Sequence, residues 1–399
     1  MKNNILNNIR VLDFGRYIAG PWCAALLADF GADVIRVDKI GGGEDRDVIP
    51  INYRGLGAIY QQVNRNKRSI CLANRGNERD AVLADLIKTS DIVVANLPEK
   101  ALRALGIDYK SLATIKPDII LTSMSAFGTN GPFSDKIGFD VVGQAMSGAM
   151  YLTGDTKPMR SSVSWVDYST AVLAAFGTVM AIIERQKSHK GQEVRASLLG
   201  SALMASNPYL IEESQTLIGR NRLANKSQVA APADMFETKD GYIVMQAIGN
   251  PMFERWAKLI GDASLITDPR FSSDKKRSEY ADMLSSKMQS WCQDKTSAEV
   301  LSKLEEVKLP CAEVLSPKAA LCHQQILSGG FFFAQTSKDQ SDTNKPYIPL
   351  SSTPVELSRT PGQLNSEAPD IGQHSRQILE ELGYENNQIT HLFQNNIIA

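Results

Sequence analysis

Short apolar runs alternate with stretches of helical period over the first hundred and thirty residues. Residues 11–14 form a brief apolar run that predicts a strand. Gly20 and Pro21 follow, and proline suits a first helical position, which starts a helix over 22–30. Strands are predicted at 34–37, ending at Asp38, at 69–73, at 92–95, ending at Asn96, and at 119–123. Helices are predicted at 78–89, 101–105 and 109–115. Strands alternating with helices imply a parallel sheet covered on both faces. Ligands of such sheets bind beyond the carboxyl ends of the strands. The loops at 15–20, 39–47, 74–77, 96–100 and 124–138 are therefore expected to line one rim.

The texture changes after about residue 225. Asp240-Gly241 between two alternating runs, 235–238 and 242–247, is a hairpin signal. Amphipathic helices are expected around 251–260, 276–293 and 296–306, which together make a smaller α+β domain at 225–325. Residues 1–224 and 326–399 form the large α/β domain. The polar stretch 337–346 is expected to be a loop, and 375–382 a short helix ended by Gly383.

Composition sets bounds on this picture. The 399 residues are 43% hydrophobic and 22% charged with a formal net charge of −1, so no bulk field favours nucleic acid or an anionic membrane. The N-terminal residues lack the apolar core of a signal peptide. The most apolar stretch, 171–183, is interrupted by Gly177 and Thr178 and reads as too short to span a bilayer. Five scattered cysteines without a Cys-x-x-Cys pair suit free thiols in a reducing cytoplasm, not a disulfide frame or a metal site. The four histidines, His189, His323, His374 and His391, are not at metal-ligand spacing.

Familiar cofactor signatures fail. The loop Asp13-Phe-Gly-Arg-Tyr-Ile-Ala-Gly20 is no G-x-G-x-x-G, so NAD and flavin binding are not expected. Gly41-Gly42-Gly43 lacks the Lys-Ser/Thr of a phosphate loop, which leaves ATP-driven chemistry without support. No G-x-S-x-G elbow occurs.

Asp167 precedes the Ala-rich stretch that runs to Ile183. Aspartate is a preferred N-cap, and one reading assigns it that role alone. A carboxylate facing the positive end of a helix dipole is expected to remain ionised near neutral pH. Opening into a partly dry cavity, it is also a candidate nucleophile.

Ordered segments decide how these pieces are read together. They are Val11-Leu-Asp-Phe14 with Ala19-Gly-Pro21, Gly31 to Asp38, Asn66-Lys-Arg-Ser-Ile-Cys-Leu72 and Asp91 to Asn96. Then follow Ser125-Ala-Phe-Gly128 with Gly131-Pro132, Gly138-Phe-Asp140, Asp167, Arg185 with Lys190-Gly-Gln192, and Asp240-Gly-Tyr-Ile243. Asp268-Pro-Arg-Phe271, Ala368 to His374 and Leu379 to Tyr384 close the series. In this order the chain resembles the class III CoA-transferase family, of carnitine or formyl-CoA:oxalate type, over nearly its whole length.

The resemblance implies a large domain with a Rossmann-like parallel sheet built from both chain ends, a smaller domain, and an interlocked homodimer. It implies transfer of CoA from an acyl-CoA to a carboxylic acid, with Asp167 as the nucleophile that carries first the acyl group and then CoA. Neither metal, NAD nor ATP is implied. Residues matching the family's CoA contacts are Arg16, Tyr17, Ile18 and Ala19 in the first loop, Lys39 after the second strand, and Leu72 with Arg75 on the adenine side. Asn96, Arg103 and Lys136 complete that set.

Three departures qualify the transfer. Ala104 stands where a family arginine is expected after Arg103. Ile18 replaces a glutamine found in some members, which leaves backbone N–H groups as the oxyanion donors. The glycine-rich flap of oxalate-type members is reduced to Gln246-Ala-Ile-Gly-Asn250, and with Ile18 this leans toward the carnitine-type branch. Related racemases carry His in a Gly-His-Asp context, where this chain has Phe139; phenylalanine cannot move a proton. Two further readings are an acyl-CoA hydrolase, which passes the aspartyl intermediate to water, and a CoA binder without catalysis. Trp165, Tyr168 and Tyr151 are candidates for the acyl pocket or for the core.

Overall fold

The computed structural model describes residues 4–48, 55–333 and 348–399. The loop expected at 337–346 lies outside the described residues. The chain divides into two compact units: Met1–Ala149, Ser161–Gln215 and Leu327–Ala399 in one, Met150–Arg160 and Thr216–Ile326 in the other.

In the larger unit, β1 (Arg10–Asp13), β2 (Asp33–Lys39), β3 (Lys67–Leu72), β4 (Ile92–Ala95), β5 (Ile120–Ser125) and β6 (Gln192–Ser197) form a sheet in the order β3-β2-β1-β4-β5-β6. Every pairing is parallel. The central strand β4 reads Ile-Val-Val-Ala and is buried throughout, as expected of a strand covered on both faces. Alternate residues feed two cores. Val11, Val34, Val94 and Ile120 pack with Trp22 and Leu26 of the Ala19–Asp29 helix and with Ala171 and Ala174 of the Trp165–Ser188 helix. Leu12, Ile35, Val93 and Leu121 pack on the opposite face with Val82 and Leu86 of Asn77–Lys88 and with Ile378 and Leu392 from the C-terminal helices. The chain's end also pairs with β3, through an antiparallel bridge between Leu72 and Ile398. Both ends of the sequence therefore build this unit.

One element is added here and one expectation is corrected. The edge strand β6 was not predicted: Gln-Glu-Val-Arg-Ala-Ser alternates weakly and is only half-buried, so it carries no apolar run. The apolar helix is a continuous Trp165–Ser188 element of 24 residues, long enough and apolar enough to cross a membrane by length and composition alone. Neither Gly177 nor Thr178 breaks it. Thr178 donates to the Ala174 carbonyl at 2.7 Å and meets Thr122 at 2.7 Å. A β-carbon on Gly177 would lie 2.8 Å from Val194 Cγ1, so the glycine lets the helix approach β6.

In the smaller unit, the hairpin β7 (Ala233–Glu237) and β8 (Tyr242–Gln246) is joined by β9 (Cys311–Glu313) in an antiparallel sheet. It packs on helices Asn250–Leu259, Ala281–Cys292 and Ser297–Glu306 around Trp256, Met288 and Leu304. Thr296 and Glu299 form a capping box on the last of these. The single helix expected at 276–293 is two, Asp274–Ser278 and Ala281–Cys292. The buried Arg277, in the last turn of the first, donates to the Phe271 carbonyl at 2.7 Å and draws the chain inward. Met150–Arg160 joins this unit because Ala224 N–H donates to the Gly154 carbonyl at 2.8 Å and Arg222 Nε to the Asp155 carbonyl at 3.2 Å.

Candidate active site

The strand order reverses between β1 and β4, and there the loops that follow the two strands part to leave a crevice. A cavity of about 730 Å³ opens within the larger unit at this place. Its walls come from the loop after β1 (Arg16, Tyr17, Ala19), the loop after β4 (Asn96, Leu97, Pro98), the ends of β5 and β6, and the segment Ser134–Phe139. Asp167 enters from the helix behind them.

The first loop is folded tightly. A β-carbon on Gly20 would sit 2.9 Å from both Gly15 Cα and Asn96 Oδ1, so only glycine permits this approach. Asn96 clamps the loop from the end of β4: its Oδ1 accepts the Arg16 N–H and its Nδ2 donates to the Arg16 carbonyl, each at 2.7 Å. The neighbouring amides of Gly15 and Tyr17 donate to Asp13 and Asp45 at 2.7 and 3.2 Å. These three N–H groups are therefore already bonded. Among the described residues, the amides of Ile18, Ala19 and Gly20 at the start of the helix have no acceptor. Tyr17 has a left-handed backbone with φ 61°, and its ring meets that of Phe139 edge to face at 5.4 Å. Both rings line the cavity.

Asp167 is not the cap of its helix. Ser164 occupies that position, and Asp167 is the third residue of the first turn. The capping is done by Asp140, whose Oδ2 accepts the N–H groups of Val166 at 2.7 Å and Asp167 at 3.1 Å. Asp140 is itself held by Gln144, which also accepts the Ser161 N–H at 2.9 Å. The Asp167 carboxylate is left without a hydrogen-bond donor among the described residues, half-buried at the cavity wall. Burial, and then the charge of Asp140, push it up from an ordinary 3.8 to about 7. The expectation that it simply remains ionised near neutral pH is thus corrected, since burial and a like charge bring its midpoint to about 7.

The other expected contacts divide. Arg16, Tyr17, Ala19, Asn96, Lys136 and Asp167 line the one cavity. Lys136 places its ammonium 3.5 Å from the centre of the Phe133 ring. The Arg16 guanidinium turns inward, 2.8 Å from the Gly15 carbonyl and 3.5 Å from Asp38. Ile18 and Leu72 are core residues at 6% and 3% exposure, outside the cavity lining. Leu72 is covered by the C-terminal tail, so its side chain does not face the rim. Lys39 pairs with Glu44 at 3.2 Å, Arg103 approaches Glu99 at 3.9 Å, and Arg75 is exposed; none lines the cavity. Trp165 and Tyr168 pack against the core, and Tyr151 lies in the smaller unit beneath Arg222.

The sequence did not single out Arg195 and Ser197, which line the cavity from β6 opposite Ser123 and Ser125 of β5. Recognising β6 would have found them, since a strand at 192–197 places Arg195 and Ser197 on one face. Among the described residues no cluster of ligating side chains could hold a metal ion.

The family model described as "CoA-transferase family III" matches residues 6–375. A succinyl-CoA–D-citramalate CoA-transferase of Chloroflexus aurantiacus is 32% identical over 382 residues, covering 94% of this chain and 94% of its own length. A succinate–glutarate CoA-transferase of Agrobacterium fabrum is 31% identical over 395 residues, covering 94% and 95%. Among solved structures, a CAIB/BAIF family protein from Brucella suis superimposes with a TM-score of 0.83 at 26% identity, over 95% of this chain and 100% of that one.

Proposed function

The chain belongs to CoA-transferase family III, and from that premise we propose that it moves CoA from an acyl-CoA to a free carboxylic acid through covalent intermediates on Asp167. The observation that carries this reading is a carboxylate without a hydrogen-bond donor at the wall of a cavity on the sheet's switch point. An oxygen not engaged by donors keeps its lone pairs available for attack.

The steps balance without an external proton or energy source. Asp167 adds to the thioester carbonyl carbon, the carbon–sulfur bond breaks, and CoA leaves as the thiolate from a mixed anhydride. The thiolate then attacks the aspartyl carbonyl and expels the first acid as its carboxylate, leaving an aspartyl-CoA thioester. The acceptor carboxylate attacks that thioester, and the released thiolate takes its acyl group from the new anhydride, which restores Asp167. Each tetrahedral centre develops an oxyanion. Of the unbonded amides at the start of the helix, that of Ala19 belongs to a residue lining the cavity and is the donor this reading assigns to it, in place of those of Gly15 to Tyr17. Lys136 at the cavity, with Lys39, Arg75 and Arg103 outside it, is assigned to the phosphates of CoA. By the names of the two relatives, small dicarboxylic acids such as succinate and glutarate are the acids to try first.

The test is to mix the protein with succinyl-CoA and a panel of acids. A new acyl-CoA that depends on the acid is the expected product. Free CoA alone would replace this reading by hydrolysis, and α-proton exchange with solvent would replace it by racemisation.

We also propose a homodimer. The Trp165–Ser188 helix leaves Val172, Phe176, Met180 and Ile183 exposed, at spacings that lie along one helical face. Met204 and Ile211 of the Leu198–Thr216 helix are exposed as well. Apolar surface of this extent is what an interface between copies removes from water. Light scattering at micromolar concentration is expected to give twice the 43.7 kDa chain mass, and Phe176→Asp to shift the protein toward monomer. A wild-type protein of 43.7 kDa would count against the dimer.

A further inference from the structure

Buried carboxylates hold two of the three engaged amides in the cavity's first loop, and each carboxylate is itself answered by a buried cation. Asp13 takes the Gly15 N–H on one oxygen, and its other oxygen accepts from Lys67 Nζ at 2.6 Å. Asp45 takes the Tyr17 N–H, and both of its oxygens lie within reach of Arg36 Nη2, at 2.8 and 3.0 Å. The two cations meet on one acceptor: Asn64 Oδ1 lies 3.0 Å from Lys67 Nζ and 2.9 Å from Arg36 Nη1. Lys67 gives its third proton to the Pro21 carbonyl, in the first turn of the Ala19–Asp29 helix, at 2.7 Å. A closed circuit therefore runs from Gly15 through Asp13, Lys67, Asn64, Arg36 and Asp45 back to Tyr17. The side chains of its four charged members are at most 1% exposed, and none of its side-chain members lines the cavity.

Fully buried ion pairs contribute little net stability compared with apolar side chains of the same size. Their strength is geometric, because each fixes the direction of the groups it bonds. The loop they hold needs such fixing: Tyr17 sits in a conformation that side chains other than glycine seldom adopt. We infer that Lys67 and Arg36 are positioning residues for the acyl-CoA site. They act through Asp13 and Asp45 to set the Gly15–Tyr17 segment and the start of the helix that follows. Neither touches substrate.

The test compares Lys67→Met with the double variant Asp13→Asn, Lys67→Met. The single change strands a buried carboxylate and is expected to lower stability. The double change leaves no stranded charge and keeps an oxygen for the Gly15 amide, so the fold is expected to recover. Its KM for acyl-CoA is nevertheless expected to stay raised by roughly tenfold or more, with kcat lowered as well, because the displaced segment both lines the cavity and leads into the oxyanion donor. A double variant that recovers both melting temperature and KM would show that the pair serves the fold alone and would overturn the inference. Should neither variant fold, hydrogen exchange on the wild-type protein decides. The amides of residues 14–17 are expected to exchange as slowly as those of β1, and exchange at the rate of an exposed loop would overturn the inference.

The kinetic arm rests on reading the cavity as the acyl-CoA site. If that reading fails, the wild-type protein shows no saturable use of acyl-CoA. If the positioning inference fails, wild-type saturation is normal and the double variant matches it.

Discussion

Replacing Asp167 by alanine is expected to abolish CoA transfer, by at least about a thousandfold in kcat, while CoA binding stays within a few-fold of wild type. The expectation of an intact fold is physical. No hydrogen bond among the described residues ends on the Asp167 carboxylate, so its removal strands no donor. The helix cap is supplied by Asp140 and is untouched by the change. A purely structural aspartate would show the reverse pattern, with lost stability and residual activity. The covalent step has its own readout. Incubation with acyl-CoA and then hydroxylamine should convert the side chain at 167 to a hydroxamate, and borohydride should reduce it to an alcohol. Both mass shifts should fall on the peptide containing residue 167 and be absent in Asp167→Ala. Full transfer activity in that variant would remove the covalent role.

How far the residues alone disclosed this arrangement depends on the range of the interactions. The strands β1 to β5 were legible because each is a short apolar run bounded by turn residues, a local signal. Parallel strands send their following loops to one end, and the loops after β1, β4 and β5 line the cavity whereas 74–77 does not, so the rim was legible in part. Strand β6 was not, because its polarity is that of a half-buried edge. The aspartate before the apolar helix was visible as a residue, but its state was not. Nothing within a helical turn of Asp167 reveals that Asp140, 27 positions earlier, takes its N–H and adds a like charge. Leu72 and Ile18 matched a family pattern by position, whereas their burial depends on the C-terminal tail and on the packing of the Ala19–Asp29 helix. The bonding of the Gly15, Arg16 and Tyr17 amides depends on side chains from three separate strand ends and loops. Local pattern yields elements; charge state and donor availability come from contacts that only the folded chain makes.

The raised Asp167 carboxyl predicts a steep pH dependence. A carboxylic acid is a poor nucleophile, so turnover requires the ionised form, and with a midpoint of about 7 that form is the minority below neutrality. The value of kcat/KM is expected to climb about tenfold per pH unit below the midpoint, so that pH 5 gives roughly one hundredth of the plateau. An acyl-pantetheine donor keeps phosphate titration out of the window. Asp140→Asn separates the two causes. The amide keeps an oxygen for the Val166 and Asp167 N–H groups and removes the neighbouring charge, so the midpoint should fall. The fall should be partial, because burial is the larger cause. Stability carries the same signature with a definite sign. Between pH 3.8 and about 7 the folded protein retains a proton that the unfolded chain has released, so this group lowers stability as pH rises through that interval. Asp167→Ala should therefore gain stability over wild type from pH 4 to 7 and hold the gain above it, with a ceiling of ~4 kcal/mol for a carboxyl displaced this far. A kcat/KM profile that is flat from pH 5 to 8, joined to a melting difference that does not change with pH, would mean that Asp167 is ionised throughout, and the unbonded carboxylate would then need a different explanation.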